Sequence, residues 1–383
     1  MEQIIAYLKS FLTYGDTEAA KRIGYTADKD TWKSYKVVIL PNGHLGKDWI
    51  LPTMANVQAW LQEGVYVIEE DILYTTLFFI SRAEELLVPD RDEHGRFAAK
   101  YSILGSNNRL QIPLLDEYAR SVMKLLDLPL PKQQFNHIFL THDIDTIAYY
   151  RHLRGFVGGW LRDGMDAVLD AVGDIHDDPA YTFPWLVEQD AKVKNAEVIY
   201  FVKDTPGKGY DYPQYKLHGK DFRHLKNYLE AHHAQLGLHS SYYEPKEKYQ
   251  SSIINCQLNR SHYLRCSIDQ MQRLANAGVT DDFTMSFPDA AGFRLQTTRA
   301  VRWINPVTYQ LSTLNLHPLT VMDNTLSAGK YMGLTEDEAY FYCQRLFDKI
   351  RQNNGDLCLL WHNTSINNTE YHKSLYPKLL TLI

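Results

Sequence analysis

The segment HIFLTHDID, at residues 137–145, is a short apolar run that ends directly in polar side chains. Comparable apolar segments follow it along the chain: AEVIYFV at 196–202, AQLGLHSS at 234–241 and LCLLWHN at 357–363. Stretches with apolar residues at helical spacing lie near 182–195, 220–234, 267–277 and 335–353. This alternation predicts parallel β/α units, and reactive side chains at strand ends are typical of barrel enzymes. We therefore predict an α/β fold with a distorted β/α barrel.

Upstream of this region the pattern changes. The segment KVVILP at 36–41 predicts a buried strand. The segment LDLPLPKQQF at 126–135 contains two prolines and a polar run, which interrupt the pattern of strands and helices. We place a boundary at residue 134. Residues 1–134 are predicted to form a small mixed α/β domain, and residues 135–383 the barrel.

The composition limits the classes of partner. The 46 acidic and 40 basic residues give a formal charge of −6, without the basic excess that nucleic acid or an anionic membrane requires. No apolar stretch is long enough to span a bilayer, and MEQIIAYLKSFLTYG lacks the features of a secretory signal, so a cytoplasmic location is expected. The four cysteines form no CxxC pair, so any metal site must use histidines and carboxylates.

Aspartates and histidines follow the predicted strands. In an extended segment Asp143 and Asp145 point to the same side, which favours a cation between them or one protonated carboxyl. His239 and His362 each close a later strand, as a metal ligand and a general acid would. The alternatives are a solvated loop whose aspartate caps a helix and histidines that only pack in the core.

The order Asp-x-Asp, His, an arginine-bearing segment and Leu-x-His resembles the polysaccharide deacetylase superfamily, the NodB-homology group related to carbohydrate esterase family 4. The resemblance covers residues 135–365. It implies that Asp143 is the catalytic base, that Asp145 and His239 bind a metal, and that His362 protonates the leaving group. FFISRAEELLVPDRDEHGRF, RSHYLR, AGFR and PLTVMDNTL further resemble a bacterial subgroup with an uncharacterised N-terminal domain.

The second motif departs from the family pattern, because Tyr243 stands where the second metal-binding histidine is expected. A neutral phenol binds zinc weakly, so a third ligand must come from elsewhere. His262, in the segment RSHYLR, is the candidate. The alternative is that His262 packs or binds sugar and that the metal site is weak or absent.

Other charged residues have possible roles beside these groups. By analogy with the family, Arg260, Arg265 or Arg294 would orient Asp143, and Asp323 would hold His362. Each of these residues is equally compatible with a structural salt bridge.

The resemblance implies a metal-dependent hydrolase that removes N-acetyl (or O-acetyl) groups from a carbohydrate or glycan precursor. The expected cofactor is a divalent metal, zinc first, with cobalt or nickel as alternatives. Two other hypotheses remain open: the protein is a catalytically impaired carbohydrate-binding or assembly protein, or it is another C–N amide hydrolase on the same barrel. The sequence does not predict the oligomeric state.

Overall fold

A computed structural model of the chain describes residues 1–151, 153–203, 209–211, 215–243, 253–368 and 370–383. It contains a four-stranded and a nine-stranded sheet. The strands of the smaller sheet are β1 (Ile23–Tyr25), β2 (Val37–Ile39), β3 (Ala59–Gln62) and β4 (Val65–Ile68). The strands of the larger sheet are β5 (Ile138–Ile144), β6 (Glu197–Lys203), β7 (Gln235–Ser240), β8 (Asn255–Ser261), β9 (Asp281–Met285), β10 (Val301–Ile304), β11 (Leu311–Pro318), β12 (Val321–Met322) and β13 (Leu357–Leu360).

Helices pack on both sheets. Those that precede β5 are α1 (Glu2–Leu12), α2 (Thr17–Lys21), α3 (Ile72–Ser81), α4 (Glu84–Leu87), α5 (Ile103–Ser106) and α6 (Leu114–Leu125). Those that follow β5 are α7 (Leu153–Asp163), α8 (Met165–Val172), α9 (Phe183–Asp190), α10 (Lys220–Ala231), α11 (Ile268–Asn276), α12 (Asp323–Ser327), α13 (Glu336–Gln352), α14 (Asn363–Asn368) and α15 (Glu370–Leu380). Within the described residues, no helix combines the length and the apolar character needed to cross a membrane.

The larger sheet has the strand order β10-β11-β9-β8-β7-β6-β5-β13-β12 and curls into a partial barrel. Neighbouring strands are parallel except at the β10 edge, where β10 runs antiparallel to β11. The carboxyl ends of the parallel strands therefore lie along one rim. This arrangement confirms the predicted α/β class and a distorted, open form of barrel.

The helices predicted from apolar spacing occur as α9, α10, α11 and α13. Two of them begin at capping boxes, in which Ser267 and Thr335 exchange hydrogen bonds with the side chain and backbone of the residue three positions on. Such boxes satisfy backbone amides that have no partner within the helix. Local sequence therefore sets where these helices start.

The N-terminal residues form their own sheet but share a core with the larger one. One continuous hydrophobic cluster joins Leu8, Val37 and Leu77 to Leu238 and Trp303. Most of the core of residues 1–134 is therefore shared with the larger sheet, although Trp32, Val38, Val65 and Val67 form a small cluster of their own, and a small independent domain is not confirmed. The boundary at 134 stays a prediction.

Candidate metal centre and active site

The rim of the larger sheet gathers the predicted groups from distant parts of the sequence. Asp143 is the second-to-last residue of β5 and Asp145 directly follows the strand, while His239 lies near the end of β7. His262 directly follows β8 and His362 follows β13 within two residues. Because β13, β5, β7 and β8 are parallel strands of one sheet, with only β6 between them, their carboxyl ends bring the five side chains to one place.

Asp145, His239 and His262 form a cluster suited to a metal ion. One potential ligand atom from each residue lies within 4.8 Å of the other two. Asp145 Oδ1 lies 3.1 Å from His262 Nε2 and 3.6 Å from His239 Nε2. Both imidazoles are buried, whereas the carboxylate is 37% exposed at the wall of the cleft.

Hydrogen bonds orient the two imidazoles toward this cluster. His239 Nδ1 donates to the carbonyl of Arg260 at 2.9 Å, and His262 Nδ1 donates to Asp211 Oδ1 at 2.8 Å. The carbonyl and the carboxylate can only accept hydrogen bonds, so each Nδ1 carries the hydrogen. The Nε2 atoms therefore face Asp145 and would offer lone pairs to a metal ion once any proton on them is released, as is usual for metal-binding histidines held by a second partner.

The donor set fits a divalent cation. Asp145 Oδ1 and His239 Nε2 are buried atoms that form no well-aligned hydrogen bond with the described residues. Burial alone would raise the pKa of Asp145, but Lys203 and His262 hold it well below its ordinary value, so the carboxylate is ionised. One carboxylate oxygen and two imidazole nitrogens are ligands that zinc accepts in catalytic sites with an open position.

Asp143 lies beside this cluster and is held by Arg260. Arg260 Nη1 lies 3.2 Å from Asp143 Oδ1 and 2.7 Å from Thr141 Oγ1, and the arginine side chain is fully buried. The other oxygen, Asp143 Oδ2, lies 3.8 Å from His239 Nε2 and 3.9 Å from His362 Nε2. One oxygen of the carboxylate is thus fixed while the other faces the space between two imidazoles.

His362 is paired with Asp323 on the far side of this space. Its Nδ1 lies 2.8 Å from Asp323 Oδ1, and its backbone N–H donates to Asp323 Oδ2 at 2.7 Å. Burial lowers the pKa of His362, but the charge and hydrogen bond of Asp323 outweigh it and raise the pKa to about 9. The imidazole is therefore protonated on both nitrogens and positively charged at neutral pH.

Arg294 differs from the expectation that it orients Asp143. Its Nη2 lies 2.6 Å from Glu85 Oε1, and its Nη1 donates to the carbonyl of Ser286. Glu85 also binds Arg82 through both oxygens at 2.7 Å. Arg294 belongs to a buried ion network that joins α4 to the segment after β9, which is the structural salt bridge left open by the sequence.

Arg265 and Tyr243 also lie apart from the cluster of Asp145, His239 and His262. Arg265 donates to the carbonyl of Tyr242 and stacks over its ring, 4.8 Å from the centroid. Tyr243 is 45% exposed, and its hydroxyl lies against Gly209. The position that carries a histidine in the family motif thus presents a solvent-exposed phenol.

Asp211 and Lys203 are residues of the site that the sequence analysis missed. Asp211 orients His262 and also accepts hydrogen bonds from Ser241 Oγ and the Tyr242 backbone. Lys203 ends β6 and places its ammonium 3.0 Å from Asp145 Oδ1. Lys203 follows the same rule of a polar residue at a strand end, whereas Asp211 lies in a short 3-10 turn and gave no such signal.

The cluster opens into a cleft of about 1020 Å³. Aromatic side chains contribute to its wall, among them Tyr149, Tyr150, Tyr210, Tyr263 and Tyr331. Tyr263 follows His262 and has a left-handed backbone with φ of 60°. A non-glycine residue in this conformation is strained, and such strain concentrates at functional sites.

Comparisons with known proteins give a family match and structural neighbours, each covering part of the chain. Residues 4–131, less than half of the chain, match a family of unknown function, DUF7033. A provisionally assigned polysaccharide deacetylase from Mycobacterium smegmatis is similar in structure, with a TM-score of 0.42 and 12% identity over 66% of this chain and 85% of that chain. A second, from Bordetella bronchiseptica and described as involved in O-antigen biosynthesis, has a TM-score of 0.31 and 17% identity over 60% of this chain and 72% of that chain. No curated protein matches the sequence significantly.

Both structural neighbours carry the assignment of the superfamily that the sequence motifs resemble. Their TM-scores and identities are too low to carry an argument about the reaction or the substrate. The chemistry therefore has to be argued from the side chains of the rim.

Proposed function

We propose that this protein is a metal-dependent hydrolase that removes the acetyl group from the nitrogen of an N-acetylated carbohydrate or glycan precursor. The observation that carries the proposal is the convergence of Asp145, His239 and His262 within 4.8 Å, beside Asp143 and His362. Together these groups offer a cation site, a base and an acid, which are the parts that amide hydrolysis requires.

Asp143 is the proposed base. Arg260 holds its Oδ1 and leaves Oδ2 directed toward His239 and His362. Oδ2 would take a proton from water as the water oxygen bonds to the carbonyl carbon of the acetamide. Because Arg260 is buried and also donates to Thr141 Oγ1, it fixes the position of the carboxylate oxygen that it contacts.

Asp145, His239 and His262 are the residues that would hold the cation. Zinc is the metal we propose first, since its preference for nitrogen and oxygen donors fits this set, and cobalt or nickel would suit the same ligands. When bound there, a divalent ion would polarise the acetamide carbonyl and lower the pKa of the attacking water.

His362 is the proposed acid. An amine is a poor leaving group, so the C–N bond breaks readily only if the nitrogen receives a proton. His362 Nε2 lies 3.9 Å from Asp143 Oδ2, and with a pKa of about 9 it holds that proton at neutral pH. After transfer, the products are acetate and a free amino sugar. An acid of this kind favours an amide over an ester as the substrate.

The cleft supports a carbohydrate as the substrate class. Tyr210, Tyr263 and Tyr331 contribute flat aromatic surface next to the catalytic groups. Aromatic faces pack against the apolar faces of sugar rings, while the phenolic hydroxyls offer hydrogen bonds to sugar hydroxyls.

The test is acetate release by the zinc-loaded protein from N-acetylated sugars and, in parallel, from a panel of small amides. We expect release from the sugars, a loss of about a hundredfold or more in Asp143→Asn, and no activity in chelator-treated protein. Release only from the small amides would favour another C–N hydrolase. Sugar binding without acetate release would favour the non-enzymatic reading.

A further inference from the structure

Lys203 is an unusual neighbour for a metal ligand. It ends β6, which pairs with β5 on one side and β7 on the other, and it is the register partner of His239. The backbone therefore directs its side chain to the same rim as Asp145. The side chain is only 7% exposed, and its ammonium lies 3.0 Å from Asp145 Oδ1.

The ammonium contacts the same oxygen that faces both imidazoles. Asp145 Oδ1 lies 3.1 Å from His262 Nε2 and 3.6 Å from His239 Nε2, so the lysine stands at the edge of the proposed cation position. A divalent ion bound to this oxygen would repel an ammonium a few ångströms away, and in a partly buried site solvent screens that repulsion weakly.

We propose that Lys203 is an internal competitor for the metal: its ammonium neutralises Asp145 in the metal-free protein and must leave Oδ1 before a divalent cation binds. The inference rests on the proposed metal-dependent function. It makes Lys203 a positioning residue that stabilises the empty site and weakens metal affinity. A merely structural lysine would have the opposite effect, because its loss would loosen Asp145 and lower the affinity.

The experiment is calorimetric titration of chelator-stripped protein with Zn²⁺ and, in parallel, Co²⁺. Lys203→Met removes the charge and keeps much of the length of the side chain. We expect its affinity for both ions to exceed that of the unaltered protein by about tenfold. Lys203→Arg keeps the charge, so its metal affinity should remain as weak as that of the unaltered protein. Lys203→Gln provides a second neutral variant if the Lys203→Met protein does not fold.

Lys226→Met is the matched control. Lys226 is part-buried on α10 and forms its ion pair with Glu230, and the control should bind both metals like the unaltered protein. A second readout is the rise in melting temperature on adding Zn²⁺, which should be larger in Lys203→Met than in the unaltered protein because the empty site has lost its counter-charge.

Equal or weaker metal binding by both neutral variants would overturn the inference and leave the proposed function standing. Failure of all the proteins, including the unaltered one, to bind either ion would overturn the proposed function together with the inference.

Discussion

Asp211 accepts a hydrogen bond from His262 Nδ1 at 2.8 Å, and this contact turns His262 Nε2 toward Asp145. Burial acts to raise the pKa of Asp211, but the hydrogen bonds from His262, Ser241 and the Tyr242 backbone lower it to about 2. The carboxylate therefore remains ionised at neutral pH. A carboxylate–histidine pair of this kind fixes the ring orientation and raises the basicity of a metal ligand.

Asp211→Asn tests this relationship. The amide keeps the shape but loses the charge, so we expect metal affinity to fall by about 10- to 100-fold. Titration with Co²⁺, followed by its visible absorption, measures the change. Asp348→Asn is the control, because Asp348 is exposed and pairs with Arg351 on the surface. Unchanged affinity in Asp211→Asn would show that the pair does not tune the site.

The identity of the third ligand is tested by comparing His262→Ala with Tyr243→Phe. His262 Nε2 lies 3.1 Å from Asp145 Oδ1, whereas the Tyr243 side chain is 45% exposed. We expect His262→Ala to lose stoichiometric Zn²⁺ and Tyr243→Phe to retain it, as measured by metal analysis after dialysis. The reverse result would assign the ligand to the phenol.

Asp323→Asn tests the proton on His362. Asp323 is the main group that raises the pKa of His362 from its ordinary 6.5 to about 9 against the effect of burial. Because the acid must be protonated, activity should decline on the alkaline side, and in the variant this decline should move toward lower pH. The measurement is kcat/KM for deacetylation as a function of pH. An alkaline limb that does not move would remove His362 from the role of acid.

The same pair predicts a trend in stability. A group whose pKa is raised on folding stabilises the protein below its unfolded pKa, and this contribution is lost as the pH rises through the folded value. The stabilisation from His362 should therefore be complete below pH 6.5 and lost as the pH rises toward about 9. Urea unfolding at several pH values should show this loss in the unaltered protein and a smaller one in Asp323→Asn.

Glu85→Gln tests the ion network that holds Arg294. Loss of the carboxylate leaves Arg82 and Arg294 buried without their counter-charge, and removing one partner of a buried pair costs about 3–5 kcal/mol. We expect a loss of this order in the free energy of unfolding, measured with urea at neutral pH. Glu18→Gln, an exposed residue paired with Lys21, should change it by less than about 1 kcal/mol.

Glu85 also predicts sensitivity to acid. Burial tends to raise its pKa, but Arg82 and Arg294 lower it from 4.5 to about 2. Its stabilising contribution is therefore present above pH 4.5 and lost as the pH falls toward about 2. Below pH 4.5 the unaltered protein should approach the stability of Glu85→Gln. If the difference in unfolding free energy between the two proteins stays constant across this pH range, Glu85 does not titrate in this way.

Sequence by itself determined the alternation of strands and helices and the position of reactive side chains at strand ends. Apolar spacing acts over a few positions, so β5, β7 and β13 and the helices α9, α10, α11 and α13 could be predicted from the sequence. The rule of a strand followed by Asp or His therefore singled out Asp143, Asp145, His239 and His362.

Only the tertiary structure decided which side chains meet. It places His262 rather than Tyr243 against Asp145, directs Arg294 to Glu85, and brings in Asp211 and Lys203. These contacts depend on strand order, register and the direction of individual side chains, which arise from packing between residues far apart in the chain. The sequence around one residue does not depend on which distant residue it contacts in the folded protein. Local sequence patterns therefore cannot predict these contacts.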